Sequence, residues 1–365
     1  MPPVLFPEMP ETVPPSPYLS KPWIDGLFIL APPFLCLLIV MAFPEWFPDT
    51  TAMPVWTWVV LVMSVDVAHV YSTLYRTYLA TDSRKRLGPL LWVVPVVAFG
   101  ASVVLYSLGA AHFWRVLAYL AVYHFIKQQY GFLRLYSRHE PKKTMQARLE
   151  FILIYAACLY PLLYWHLSGP RHFHWFMEGD FWYIPLAGWL PVLGLCYTAV
   201  WVLYLGVLAN TFFRKKQFNV PKFLLLSGTA VSWYVGIVVY NGDLAFTLFN
   251  VICHGIPYMA LVWIYNRRKY GPPVPEKPFW SRILSWKAIP TFIALLLLLA
   301  YAEEWLWDRL VWQEHESVFG GLHGIVDGVP EAVLIGVVPL LSLPQITHYI
   351  LDGFIWKRQY LEVKL

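Results

Sequence analysis

Charged residues are scarce in this sequence. They make up 13% of the 365 residues, whereas 58% of the residues are hydrophobic. Soluble domains carry about a quarter charged residues and under half apolar ones, and a soluble protein of this composition would expose too much apolar surface to water. Apolar runs of about 20 residues, the length that crosses a hydrocarbon core, recur along the chain. The sequence therefore predicts an integral membrane protein.

The sequence also lacks disulfide and signal-peptide patterns. Its four cysteines, Cys36, Cys158, Cys196 and Cys253, lie in apolar runs at spacings that match no disulfide or zinc-finger framework, so we interpret them as packing residues. The proline-rich N-terminus has neither a basic n-region nor a short apolar h-region. We interpret residues 1–23 as a cytoplasmic leader that stays on the protein. The net charge of +5 reflects basic loops and does not indicate a nucleic-acid partner.

Ten apolar segments predict an all-α, polytopic transmembrane helical bundle of about ten helices. They cover residues 24–43, 55–80, 88–109, 112–136, 149–167, 183–212, 220–240, 243–266, 288–306 and 331–356. No repeat of fixed period is present, so residues 24–356 are predicted to form a single transmembrane domain. Residues 357–365 would form a short cytoplasmic tail.

The positions of the basic residues predict the orientation of the bundle. With the N-terminus inside, all but four of the 27 Lys and Arg residues fall in cytoplasmic loops, tails or helix ends. The four are Arg115, Lys127, Arg171 and Arg309, and the loop near 303–331 is acidic and lies outside. This distribution satisfies the positive-inside rule with both termini cytoplasmic. We expect a multi-pass protein of the inner, cytoplasmic membrane.

Ionisable and amide side chains inside the membrane are concentrated on the second, fourth, eighth and tenth segments, which all run inward. The motifs are DVAHVYSTLYR with Asp66 and His69, HFIKQQYG with His124, Lys127 and Gln128, NVICHG with Asn250 and His254, and QITHYILDG with Gln345, His348 and Asp352. Placing such residues in lipid costs free energy, so their presence within membrane segments usually indicates a functional site.

The four histidines of these motifs share one depth. They precede the basic inner ends of their helices by 7 to 13 residues, which corresponds to roughly 10–20 Å at the rise of an α-helix. If the four helices pack together, the side chains converge in the cytoplasmic half of the bilayer.

Imidazole and carboxylate are ligands for non-haem iron, zinc or manganese. The predicted metal ligands are His69, His124, His254, His348, Asp66 and Asp352, which suffice for two ions or for one ion with a carboxylate left as acid or base. The two aspartates are alternatively hydrogen-bond acceptors behind the ligating rings. Polar packing between helices or an ion or proton pathway would also account for histidines and aspartates at these positions.

Gln128 and Lys127 complete the candidate catalytic set with Asp66 and Asp352, and Asn250 would add a supporting hydrogen bond. Lys127 has two interpretations. It extends towards the inner headgroups, as most intramembrane lysines do, or it binds a phosphate or carboxylate of a lipid that enters the site.

This arrangement resembles membrane histidine-cluster non-haem metal enzymes at the level of their class. Fatty-acid desaturases and hydroxylases use HxxxH and HxxHH boxes, which this chain lacks. Isolated histidines on several helices are closer to the Brp/Blh carotene dioxygenases, which hold iron in a polytopic bundle. The seven-helix ceramidase and adiponectin-receptor group, which holds zinc, is also similar, with His348 and Asp352 at an HxxxH spacing but with Asp in the second place.

The resemblance implies a membrane-bound non-haem iron oxygenase or desaturase that holds one or two iron ions. Its substrate would be a lipid or another hydrophobic molecule that enters from the bilayer, with electrons from a cytoplasmic donor. One alternative is a zinc-dependent membrane lipid hydrolase. Another is a proton- or ion-coupled transporter, for which CHGIP at Cys253–Pro257 is the candidate break in a helix.

Overall fold

A computed structural model of the chain describes residues 16–270, 288–320 and 329–357, and the regular secondary structure in these ranges is helical, with no β-strand. Eight helices are long and apolar enough to cross a membrane. We call them α3 (Val55–Arg76), α4 (Leu90–Ser107), α6 (Met145–Ser168), α7 (Ala187–Lys215), α8 (Val220–Val239), α9 (Asp243–Lys269), α10 (Ile289–Trp312) and α11 (Glu331–Ile355). The protein is an all-helical, multi-pass membrane protein.

Two predicted segments take a different form. The first is a pair of helices, α1 (Pro22–Leu30) and α2 (Pro32–Ala42), bent by 53° at Ala31, and it becomes a ninth span if the pair counts as one. The segment 112–136 forms α5 (Ala110–Tyr136), a helix of 27 residues that is less apolar than the eight. Each of the ten predicted segments thus has a helical counterpart, but length and apolar character support eight or nine crossings.

The prediction of an acidic outer loop near 303–331 was wrong at its start. Glu303, Glu304 and Asp308 all lie within α10, which continues to Trp312 and closes with a π-helical turn. The Asp308 carboxylate accepts hydrogen bonds from the backbone N–H groups of Glu314 and His315, which ends the helix. The apolar pattern continues through these acidic residues because they face an internal cavity rather than lipid. The rest of this loop, residues 321–328, lies outside the described residues.

The end of the predicted leader is attached to the bundle. Asp25 accepts hydrogen bonds from the backbone of Leu19 and Ser20 at 2.5 and 2.9 Å. Arg138 donates to the carbonyls of Pro17 and Tyr18. Residues 1–15 of the leader and residues 358–365 of the predicted tail lie outside the described residues.

The helices alternate in direction and give the bundle two ends of opposite charge. We call the end that carries Arg84, Arg138, Arg214, Arg267 and Lys357 the basic end. The other end, formed by residues 43–54, 169–186, 240–242 and 313–320, is the acidic end. Its loops are joined by a contact of 2.8 Å between His172 Nδ1 and Asp49 Oδ1 and by hydrogen bonds from Arg171 to the carbonyls of Ile237 and Tyr240.

Close packing of α3 against α9 positions the centre of the bundle. A Cβ atom added at Gly255 would lie 2.8 Å from Val65 Cγ1, 3.2 Å from the Val65 carbonyl oxygen and 3.5 Å from His69 Cβ. Only glycine therefore permits this approach of the two helices. Within α3, residues Val59–Val67 are π-helical, and Ala68–Ser72 return to α-helix. Departures of this kind are frequent at functional sites.

Candidate metal centre

Four buried histidine rings, one each from α3, α5, α9 and α11, enclose a point in the centre of the bundle. The ring centroids are 4.7 Å apart for His69 and His254, and 5.1 Å apart for His254 and His124. They are 4.6 Å apart for His124 and His348, and 5.0 Å apart for His348 and His69. The rings cross at angles of 66–88°, and no ring is more than 3% exposed. The structure thus brings together the four histidines singled out by the sequence.

The nitrogen atoms of this cluster fit a metal ion. One nitrogen from each ring lies within 4.8 Å of those of the other three, and the Nε2 atoms of His69 and His254 are 3.1 Å apart. The Nε2 atoms of His124 and His348 are buried and have no hydrogen-bond partner in the described part of the chain. Buried polar atoms without partners are rare, and an ion that binds between them commonly accounts for them.

The opposite ring nitrogens of three histidines face side chains that orient metal-binding rings in other proteins. His348 Nδ1 lies 2.7 Å from Thr73 Oγ1. His69 Nδ1 is 3.6 Å from Asp66 Oδ1, and His124 Nδ1 is 3.8 Å from Asp352 Oδ2. The last two distances exceed a hydrogen bond. Both aspartates therefore lie behind the rings, and the group of converging donor atoms consists of histidines alone.

The remaining predicted residues differ in how close they come to the cluster. Gln128 Nε2 donates to the His254 carbonyl at 3.0 Å and so fixes the backbone of α9. Asn250 donates within its own helix to Phe246, and Gln345 donates to the Tyr349 hydroxyl. Lys127 Nζ points away from the cluster, 3.4 Å from the Tyr155 hydroxyl and over the Tyr130 ring.

Several residues around the cluster were missed from the sequence. Phe125 stacks on His254 at 3.5 Å, and Tyr349 stacks on His124 at 4.9 Å. The Tyr258 hydroxyl lies 3.0 Å from Thr73 Oγ1. Thr73 follows His69 by four residues and Tyr258 follows His254 by four, so a search for polar residues one helical turn away would have found both.

Large side chains cover the cluster towards the basic end. Arg76 is 1% exposed, and its guanidinium lies 3.8 Å above the Tyr265 ring and 5.1 Å from the Trp356 ring. It also donates to the Ile355 carbonyl at 2.8 Å. Trp356 in turn donates to Asp352 at 2.6 Å. This layer separates the histidines from the basic loops.

Towards the acidic end, a cavity of about 540 Å³ lies beside the helices of the cluster, and none of the four histidines is among its described lining. Its floor includes Asp66, Phe125, Asn250 and Gln345, which belong to the four helices that carry the histidines. Its walls carry tryptophan rings and carboxylates from α10 and from the loops of the acidic end. The cavity is thus both aromatic and acidic, and it reaches the centre through residues that lie one to four positions from the histidines in sequence.

The loop 169–186 forms part of the rim of this cavity through residues 174–178. Asp180 is buried beneath it and accepts hydrogen bonds from the backbone N–H groups of Trp175, Phe176 and Met177. Burial raises the pKa of Asp180 above its ordinary value, and these backbone donors act in the opposite direction. Outside the cluster, the His166 ring lies between Tyr119 and the Leu162 carbonyl at 2.7 Å from each.

No known protein family, curated protein or solved structure matches this chain.

Proposed function

We propose that the protein is an integral-membrane, metal-dependent oxidoreductase that acts on a hydrophobic substrate. The observation that carries the proposal is the convergence of four buried imidazoles, two of which have an Nε2 atom without a partner among the described residues. His69, His124, His254 and His348 would hold one transition-metal ion, since imidazole suits iron, copper, nickel and zinc.

Iron accounts for four histidines better than catalytic zinc. Catalytic zinc sites keep three protein ligands and one open position, whereas four ligands complete a tetrahedral, structural site. Iron accepts additional ligands, so a four-histidine site leaves room for reactants. When bound, iron would supply one-electron redox chemistry. A zinc-dependent lipid hydrolase is accordingly the weaker proposal.

The residues of the chain itself have separate tasks in this proposal. Thr73 lies within hydrogen-bond distance of His348 Nδ1 and would hold the proton there, which leaves Nε2 for the metal. Asp66 and Asp352 lie on the Nδ1 side of His69 and His124, at 3.6 and 3.8 Å, and would place negative charge behind these rings. The Phe125 ring covers one face of His254. Arg76, Tyr265 and Trp356 exclude water from the basic end.

The same geometry makes a transmembrane ion pathway the weaker alternative. A pathway requires access to the site from both faces, but the described residues at the basic end close over the histidines. Transporters also use helices broken near the midplane, whereas α9 continues unbroken through Cys253–Pro257.

We further propose that the basic end faces the cytoplasm, as the positive-inside rule requires. Both termini would then be cytoplasmic, with α5 and the bent pair of α1 and α2 completing ten crossings of the inner membrane. The substrate would enter from the bilayer, and an electron donor would bind at the basic surface.

Metal analysis of the full chain, purified in neutral detergent, tests the proposal. We expect about one iron per chain in the wild type and its loss in His254→Ala and His348→Ala. His166→Ala is the matched control, because this histidine lies outside the cluster. Stoichiometric zinc without iron would reject the redox chemistry. Retention of metal in Ala variants of all four histidines would reject the metal centre.

A further inference from the structure

We infer that the cavity at the acidic end binds an organic cation, an ammonium group attached to an apolar body. The cavity would thereby select the substrate of the histidine centre. The assignment of this ligand as substrate depends on the proposed function, whereas the binding of the cation does not.

The lining of the cavity is rich in acidic side chains and has no Lys or Arg among its described residues. Carboxylates approach it from α3 and α10 through Asp66, Glu303, Glu304 and Asp308. Three more lie around them, contributed by Glu178, Asp243 and Glu314. The described lining contains no Lys or Arg, and none of the seven carboxylates forms an ion pair with a Lys or Arg side chain in the described part of the chain. The described lining also contains the imidazoles of His174 and His315, two groups against seven carboxylates, so a cationic ligand would supply counter-charge that the lining lacks.

The four carboxylates of α3 and α10 lie close enough to interact electrostatically. Glu304 interacts electrostatically with Glu303, Asp66 and Asp308. Glu303 accepts hydrogen bonds from Tyr71 and Trp307, but Glu304 has no hydrogen-bond donor among the described residues. Glu304 is therefore the carboxylate best placed to receive a ligand.

The walls of the cavity are aromatic. The lining includes the rings of Trp58, Trp114, Trp175, Trp307 and Trp312. Tryptophan is the best aromatic partner for a cation, and aromatic cages recognise quaternary ammonium groups. The volume of about 540 Å³ lies within the range of small-molecule sites. These features favour an organic cation over a bare metal ion, which would need a compact group of oxygen ligands.

At the floor, the amide oxygen of one polar side chain also lacks a partner in the described part of the chain. Asn250 is 8% exposed and lines the cavity. Its amide nitrogen donates to the Phe246 carbonyl at 2.9 Å, and its side-chain oxygen has no donor among the described residues. Asn250 precedes His254 by four residues, so a ligand that reaches this oxygen lies one helical turn from the centre.

Isothermal titration of the full chain in neutral detergent tests this inference with a matched pair of probes. Choline carries a quaternary ammonium, and 3,3-dimethylbutan-1-ol has nearly the same shape without the charge. We expect choline to bind and the alcohol to bind at least about tenfold more weakly. Glu304→Gln should weaken choline binding about tenfold, because it removes a nearby opposite charge. Glu45→Gln, an exposed carboxylate outside the cavity, should not change it.

The other possible results of this titration either support or reject the binding of an organic cation. Equal binding of the two probes, no binding of choline, or binding that Glu304→Gln does not alter would overturn it. Binding of Ca²⁺ or Mn²⁺ in place of choline would assign the cavity to metal ions and also overturn it. Binding of choline by His254→Ala without metal would preserve the inference even if the metal centre failed. Wild-type protein that holds iron and ignores choline would reject the inference alone.

Discussion

The two ends of the bundle differ in whether their buried charged side chains have partners. At the basic end, Lys222 is 1% exposed and pairs with both Glu140 and Glu150. Arg76 is equally buried and rests on aromatic rings. At the acidic end, the carboxylates around the cavity have no Lys or Arg partner in the described part of the chain. A buried carboxylate that has a cationic partner can join two helices. Buried carboxylates without such a partner destabilise the fold, and proteins usually retain destabilising groups of this kind only where they serve a function.

The difference extends to the histidine centre, which lies between the two ends. Its basic side contacts Thr73, Tyr258 and the layer of Arg76. On its acidic side, Asp66, Phe125, Asn250 and Gln345 separate the histidines from the cavity that they line. We propose that the basic half of the bundle supports the centre and that the acidic half supplies its ligand.

The largest effect should follow from removal of the Lys222 charge. Lys222→Met leaves Glu150, which is 3% exposed, without its cation, and the loss of one partner of a buried pair costs about 3–5 kcal/mol. We expect a marked fall in the thermal unfolding midpoint in detergent. Lys215→Met, at an exposed position on α7, is the control and should change little. A midpoint that falls equally in both variants would show that the buried ion pair at the basic end stabilises the protein no more than an exposed lysine does.

Much of the fold could be predicted because apolar segments alternate with charged loops along the chain. Every predicted apolar segment corresponds to a helix, and counting from basic helix ends placed His69, His124, His254 and His348 at one depth. Alternation of helix direction then brought them together. These inferences need only local composition and the rise of a helix.

The remaining features depend on which helices become neighbours. Spacing places Asp66 and His69 on one face, but it does not show that Gly255 allows α9 to approach them. Glu303 and Glu304 stand where the predicted segment 288–306 and the predicted acidic loop near 303–331 overlap. They continue the helix because α10 turns them towards the cavity, which local sequence does not reveal.

An intermediate effect should follow from the loss of the Thr73 hydroxyl. Thr73→Val keeps the shape of the side chain but removes the partner of His348 Nδ1. Loss of such a partner typically weakens metal binding about 10–100-fold. Competition with a chelator measures this change, and Thr198→Val, whose hydroxyl bonds only within α7 at an exposed position, is the control. Equal affinity in the two variants would show that the basic side does not orient the centre.

The smallest effect is expected for Glu304→Gln, and it should raise the free energy of unfolding, whereas Lys222→Met lowers it. Glu304→Gln removes one carboxylate from a group of like charges that includes Glu303, Asp66 and Asp308. We expect the protein without added cation to become more stable by about 0.5–1 kcal/mol, as happens when functional sites are relieved of such strain.

The same chemical change at the basic end provides the matched comparison. Glu150 accepts hydrogen bonds from Lys222 at 2.6 Å and from Gln146 at 2.8 Å, so Glu150→Gln should lower the unfolding midpoint. Opposite shifts in these two variants would establish that equal carboxylates serve packing at one end and ligand binding at the other. If Glu304→Gln also destabilised the protein, the carboxylates around the cavity would stabilise the fold rather than wait for a ligand. They would then need partners within the chain rather than a ligand.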